Sequence, residues 1–175
     1  FNSLVVVNND FEIIRQYDKK KLVPFGEFLP YETFLNNLGL KKITEGHGSF
    51  TKGRRPSNIK INNLNILPLI CYEIIFTELT QKASNQTNLI VNISEDGWFG
   101  DSIGPYQHFA KGIFRAIENN TFLVRSANKG ISAIINNKGE IVKKLNSFEA
   151  GNIEADISLL KSENKNKNDL IFFIL

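Results

Sequence analysis

One cysteine, two histidines and no methionine are spread over the 175 residues of this chain. A lone thiol excludes an internal disulfide and leaves the redox compartment unread. His47 and His108 stand far apart without a Cys or His neighbour, so no metal-ligand set is legible and no cofactor is expected. Charge of one sign is missing too. The 21 Lys and Arg face 18 Asp and Glu, and the net +3 is too scattered to mark a nucleic-acid surface. There is no long hydrophobic run: "LIFFIL" at 170–175 is short, where a membrane-spanning helix takes about twenty residues. That stretch reads either as a core strand or as the start of a truncated transmembrane helix. The polar run "KSENKNKND" at 161–169 reads as a linker ahead of it. Without a methionine to start on, the chain is expected to be a piece open at both ends, with residues 1–160 forming one partial domain.

What is present is a series of apolar segments. "SLVVV" predicts a buried strand, and "FEIIRQYDKK" a second strand joined to it through the Asn8-Asn9-Asp10 turn. Residues 31–58 are irregular, with Phe and Leu scattered among Gly, Lys and Arg, which suits a lid or a plain surface loop. "LNILPLI" predicts a strand ending at Cys71. Ile75, Leu79 and Ala83 then mark one helix face. "NLIVNIS" and "TFLVRSA" predict buried strands on either side of a helix that begins near Pro105 and carries the stripe Phe109, Ile113 and Ile117. "ISAII", "NNKG" and "EIVKKL" predict a hairpin. Strands that alternate with helices and then pair as hairpins predict an α/β sandwich with mixed sheets.

Two segments carry chemistry. A strand that stops at Cys71 and turns into a helix would present the sulfur at the helix N-terminus, where a thiolate is stabilised. The Tyr72 N–H would then be placed to meet an oxyanion. Free cysteine is also among the most buried residue types, so an inert core thiol stands beside that reading. In "YDKKKLVPFGEFLP", Glu27 follows a tight Pro-Phe-Gly corner, and a nearby lysine would be held charged by it. Three lysines in a row are otherwise an ordinary solvated face. His108 is the rival base but sits where a hydrogen-bonded structural histidine is expected. Arg115 and Glu118 have the i, i+3 spacing of a helix ion pair.

"YDKKKLVPFGEFLP", "LPLICYEIIF", "NISEDGWFGDSIGPYQHF", "RAIE" and "RSANKGISAII", in this order and spacing, resemble the nitrilase-type domain of bacterial apolipoprotein N-acyltransferases. The resemblance runs over essentially the whole chain. It implies a nitrilase-like four-layer αββα sandwich and a Glu-Lys-Cys triad, with Cys71 as nucleophile and Lys19 as the triad lysine. Glu27, Tyr72 and Glu73 fall on supporting positions, and Trp98 and Phe99 on the substrate pocket. The triad glutamate and a preceding bundle of membrane helices are implied ahead of Phe1, so the 175 residues alone are expected to be inactive. Glu95 departs from the asparagine more usual there.

The implied reaction takes an acyl chain from a membrane phospholipid, through a cysteine thioester, to the α-amine of a diacylglyceryl-modified apolipoprotein. The implied location is the bacterial inner membrane, with this domain on the periplasmic side and the 31–58 loop (Phe34, Leu35, Leu38, Leu40 and Phe50 beside Lys41, Lys42, Lys52, Arg54 and Arg55) against the bilayer. The rivals are a nitrilase-type amidase for small amides and a non-catalytic membrane-anchored binding module.

Overall fold

In the computed structural model, apolar strands and their turns build two sheets; it describes residues 1–31, 34, 37, 39, 49–54, 58–81 and 87–159. Strands β1 (Ser3–Val7) and β2 (Ile13–Asp18) pair antiparallel through the expected turn, whose Asn8 side chain accepts the N–H groups of Asp10 and Glu12. The second sheet has six strands in sequential order. They are β3 (Ile59–Ile61), β4 (Leu64–Ile70), β5 (Leu89–Glu95), β6 (Phe122–Asn128), β7 (Ser132–Ile135) and β8 (Ile141–Leu145). β4, β5 and β6 run parallel, while β3 and the β7–β8 hairpin add antiparallel edges, so the sheet is mixed as expected.

The parallel strands are apolar on both faces because both are covered. Leu67, Leu69, Ile90, Leu123, Ala133 and Ile135 pack against helix α2 (Gly104–Asn119) through Phe109 and Ala116, and against Ile74 of the turn after β4. Ile75 and Leu79, the latter on the short helix α1 (Thr77–Gln81), join this cluster; Ala83 lies outside the described residues. On the opposite face Ile59, Ile66, Ile70 and Ile93 meet Leu4, Val6 and Tyr17 of the β1–β2 sheet. Among the described residues the layers are therefore helix, large sheet, small sheet. Each fully buried Leu or Ile contributes about 1.5–3 kcal/mol.

Three expectations need correction. β1 is not buried on both faces: Val5 is 46% exposed, because the small sheet is covered on only one side by described residues. The segment after Cys71 opens as a 3-10 turn, Cys71–Ile75, and α1 starts afresh at Thr77. Ile117 does not share the buried face of α2, being 40% exposed, whereas Pro105, Phe109, Gly112 and Ala116 do. The Arg115–Glu118 pair forms as expected, at 2.9 Å. β3, preceding an Asn62-Asn63 turn, was not anticipated. No helix among the described residues is long and apolar enough to cross a membrane.

Candidate active site

β2 ends at Asp18, and Lys19 follows with its backbone held from both sides. Its N–H donates to Asn2 O and its C=O accepts from Gly53 N–H, each at 2.8 Å. Gly53 packs so closely on Asp18 that a Cβ has no room there. The Lys19 side chain turns inward and is 1% exposed. Its ammonium meets Glu27 at 2.9 Å (Oε1) and 2.8 Å (Oε2). Glu27 arrives there on the corner of residues 23–28, whose Phe25 takes a positive φ of 62° and whose Val23 C=O accepts the Glu27 N–H. Asn2 Nδ2 and Val23 N–H also donate to the Glu27 carboxylate, at 2.7 and 2.8 Å. A buried, charge-assisted pair results, which holds the lysine in one place.

Cys71 follows β4 directly and occupies the left-handed region, φ +50°. A non-glycine residue held there costs on the order of 1–3 kcal/mol unless its surroundings enforce it. Glu73 supplies part of that enforcement. Its carboxylate is fully buried and accepts Ile70 N–H at 2.9 Å, closing back over the turn like the acidic half of a capping box. It also accepts Lys20 N–H at 2.7 Å, Lys21 N–H at 3.0 Å and the Tyr17 hydroxyl at 3.0 Å. One carboxylate thus ties the lysine segment to the cysteine turn. Burial, then the charge and hydrogen bond of Glu73, push the Tyr17 phenol far above its ordinary range, so it remains a donor.

Behind the turn lies a second polar cluster. His108 Nε2 sits 3.2 Å from the Cys71 carbonyl, and its Nδ1 sits 2.9 Å from Asp96 Oδ1. Arg125 Nη2 donates to Asp96 Oδ2 at 2.6 Å and Nη1 donates to Asn92 Oδ1, while Asn92 Nδ2 donates to Leu69 O. All four side chains are buried. Burial alone would raise the Asp96 carboxyl, but the His108 hydrogen bond, the Arg125 charge and the Ser94 hydroxyl outweigh it and hold the group at about 2. A depressed carboxyl stabilises the fold above its unfolded value of 3.8, and that share is lost as the pH falls through about 2. Asp96→Asn should therefore lower the unfolding midpoint of the full-length protein by the equivalent of about 3–5 kcal/mol at pH 7, because Arg125 loses a buried partner. The gap to wild type should persist to pH 4 and narrow below it.

These clusters border one cavity of about 750 Å³. The family profile described as Carbon-nitrogen hydrolase matches residues 1–164. The chain belongs to the carbon-nitrogen hydrolase family. Among curated relatives, it is 42% identical over 158 residues to an apolipoprotein N-acyltransferase of Rhizobium leguminosarum bv. trifolii, covering 90% of this chain and 30% of that protein. It is 43% identical over 146 residues to one of Rhodopseudomonas palustris, covering 83% and 27%. The chain thus spans less than a third of the length of these relatives. Among solved structures, Saccharomyces cerevisiae Nit3 has a TM-score of 0.61 at 17% identity, over 85% of this chain and 50% of that one. An amidase from Nesterenkonia sp. has 0.56 at 16%, over 83% and 51%. At that identity the likeness concerns the fold, a nitrilase-superfamily sandwich.

Within this carbon-nitrogen hydrolase cavity, Lys19, Glu27, Cys71, Tyr72, Trp98 and Phe99 all contribute to the lining. Trp98 and Phe99 stand at its mouth, Trp98 being 64% exposed. Glu73 is not in the lining; it lies sealed behind it. Val23, Pro24, Ile70 and Ile93 make the remaining wall largely apolar. Of the 31–58 segment, Phe50 lines the cavity, Phe34 is exposed and Lys52 lies 5.6 Å from the Phe28 ring centroid; Leu35, Leu38, Leu40, Lys41, Lys42 and Arg55 fall outside the described residues. The side chain of Glu95 accepts Gly97 N–H and Asn128 Nδ2 at the cavity edge. Asn2, Asn92, Asp96 and Arg125 were missed as site residues. A signal existed: an Asn in "LIVNIS" and an Arg in "FLVRSA" are out of place in strands buried on both faces unless paired.

Proposed function

We propose that this chain is the catalytic core of an apolipoprotein N-acyltransferase. The observation that carries the reading is the meeting of Cys71, on a strained turn, with the buried Lys19–Glu27 pair in one largely apolar cavity. The volume suits a ligand with an extended apolar part. The Cys71 thiolate attacks the ester carbonyl of a membrane phospholipid, and a C–S bond forms. The oxyanion meets the Lys19 ammonium and the Tyr72 N–H. Lys19 donates one N–H to Glu27 Oε1 and lies in ion-pair contact with Oε2, which leaves an N–H for the substrate.

Collapse breaks the ester C–O bond and releases a lysophospholipid carrying the proton taken from the thiol. The α-amine of a diacylglyceryl-modified apolipoprotein then attacks the thioester, and the displaced sulfur regains a proton. Glu27 is committed to Lys19 and Glu73 to four donors, so neither serves as the proton carrier. We assign that role to the glutamate that the resemblance implies ahead of Phe1. The site then works at the bacterial inner membrane from the periplasmic side.

The test uses full-length protein in membranes, given a phospholipid with a labelled sn-1 acyl chain. Hydroxylamine-labile label mapped by peptide mass spectrometry to Cys71 is the expected result. Folded protein that turns over no phospholipid, or label at another residue, would sink the reading.

A further inference from the structure

His108 stands outside the reaction as derived, yet it is buried, charged partners surround it, and it touches the peptide that bears the nucleophile. Its two nitrogens face two oxygen acceptors: Asp96 Oδ1 at 2.9 Å and Cys71 O at 3.2 Å. A carbonyl oxygen only accepts, so the contact to Cys71 is a hydrogen bond donated by Nε2–H. Arg125 Nη2 lies 3.2 Å from the same Nδ1. Asp96 is itself held in place, by Arg125 through Oδ2 and by Ser94 through Oδ1, at 2.6 Å each. The direction of the ring is thus set by a buried carboxylate on one side. On the other side, among the described residues, it holds a backbone carbonyl.

That carbonyl belongs to the Cys71–Tyr72 peptide. A peptide unit is planar and trans, so its C=O and N–H point in opposite directions. Fixing the Cys71 carbonyl therefore fixes the direction of the Tyr72 N–H. As one of the first N–H groups of the Cys71–Ile75 turn, it has no partner within the turn, and Tyr72 borders the cavity. A hydrogen bond accepted at the carbonyl end also polarises the unit and makes its N–H a better donor. The same grip helps hold Cys71 at φ +50°, which Glu73 supports one residue earlier through Ile70 N–H.

We propose that His108 is the positioning residue of this site: through the Cys71 carbonyl it sets the nucleophile turn and aims the Tyr72 N–H at the oxyanion. This rests on Cys71 being the nucleophile of the reaction proposed above. It also accounts for the chain order of the cluster. Asn92 lies on β5, Asp96 just beyond it, Arg125 on β6 and His108 in the first half of α2. Three elements packed behind β4 converge on one carbonyl at its end.

The test compares His108→Gln with His108→Met in the full-length protein. The two side chains have similar bulk, but only Gln retains an N–H able to reach the Cys71 carbonyl. The readouts are the rate of thioester formation per folded molecule, as judged by thermal unfolding, and the KM for phospholipid. His108→Met should lower the rate about 100-fold with little change in KM, and His108→Gln should recover about 10-fold of that loss or more. Equal rates for the two variants, or a wild-type rate for His108→Met, would overturn the proposal. Wild-type protein that forms no thioester at Cys71 would overturn it together with the underlying reading. The two failures are thereby told apart.

Discussion

Lys19→Ala should abolish acyl transfer, by about 1000-fold or more, while Lys20→Ala and Lys21→Ala keep most of it. The three lysines are adjacent in sequence, but only the first turns into the cavity. Lys19 is buried and fixed by a hydrogen bond to Glu27 Oε1 and an ion pair with its Oε2 on the cavity wall. Removing one preorganised donor from an oxyanion site typically costs about 100- to 1000-fold. Here the change also leaves Glu27 a buried carboxylate without its cation, which points an uncompensated negative charge at a developing oxyanion. The Lys21 side chain is 40% exposed, pairs with Glu78 at 2.9 Å and lies 4.9 Å from the Phe76 ring centroid. Exposed pairs of this kind contribute about 0–1 kcal/mol. What Lys20 and Lys21 give the site is their backbone N–H, which alanine retains.

Loss of stability must be separated from loss of chemistry, since breaking a buried ion pair costs about 3–5 kcal/mol. The double variant Lys19→Met, Glu27→Leu removes both charges and should regain much of the stability without regaining transfer. Labelled acyl transfer to a diacylated lipopeptide, normalised to folded protein, measures each. Equal loss at all three lysines would mean that they act as a basic patch.

The contrast among these lysines shows what sequence can and cannot reveal. The turn chemistry of "NND" and "NNKG" and the apolar runs were enough to locate β1, β2, β4 to β8 and the hairpin, because local propensity and tertiary burial agree there. The α2 stripe failed for a geometric reason. Steps of four residues advance 400°, so Phe109, Ile113 and Ile117 drift 40° at each step and end 80° off the starting face. Ala116, seven residues from Phe109, returns to within about 20° of it. An apolar run such as "SLVVV" cannot say whether one face or two will be covered, and in β1 the covered face is one. The positive φ at Cys71 was equally hidden, since nothing in "LICYE" distinguishes a strained turn from an ordinary helix start. Contacts across the fold, such as His108 to the Cys71 carbonyl over 37 residues of chain, have no local pattern to read.

Glu73 is the clearest of those hidden contacts, and its replacement is the second large effect expected. Glu73→Gln changes no volume but exchanges one acceptor oxygen for an NH2 group. The carboxylate accepts from Lys20 N–H and Lys21 N–H through Oε1, from Ile70 N–H through Oε2, and from the Tyr17 hydroxyl across both. An amide turned either way sets its NH2 against at least one backbone N–H. A hydroxyl can rotate to accept, so Tyr17 can adapt; a backbone N–H cannot. An unsatisfied buried donor costs about 1–3 kcal/mol, and donor facing donor adds repulsion, so a loss near the upper end, about 3 kcal/mol, is expected.

The activity should fall further than stability alone explains, by about 100-fold per folded molecule, because the segment bearing Lys19 and the turn bearing Cys71 lose their common anchor. Tyr17→Phe provides the control. It removes one donor and leaves the three N–H bonds in place, and should cost about 1 kcal/mol with most of the transfer rate retained. Thermal unfolding beside the labelled-transfer rate reads both variants. If Glu73→Gln were as active as Tyr17→Phe, the carboxylate would be only a fold element, and the register of lysine against cysteine would be set by the sheets alone.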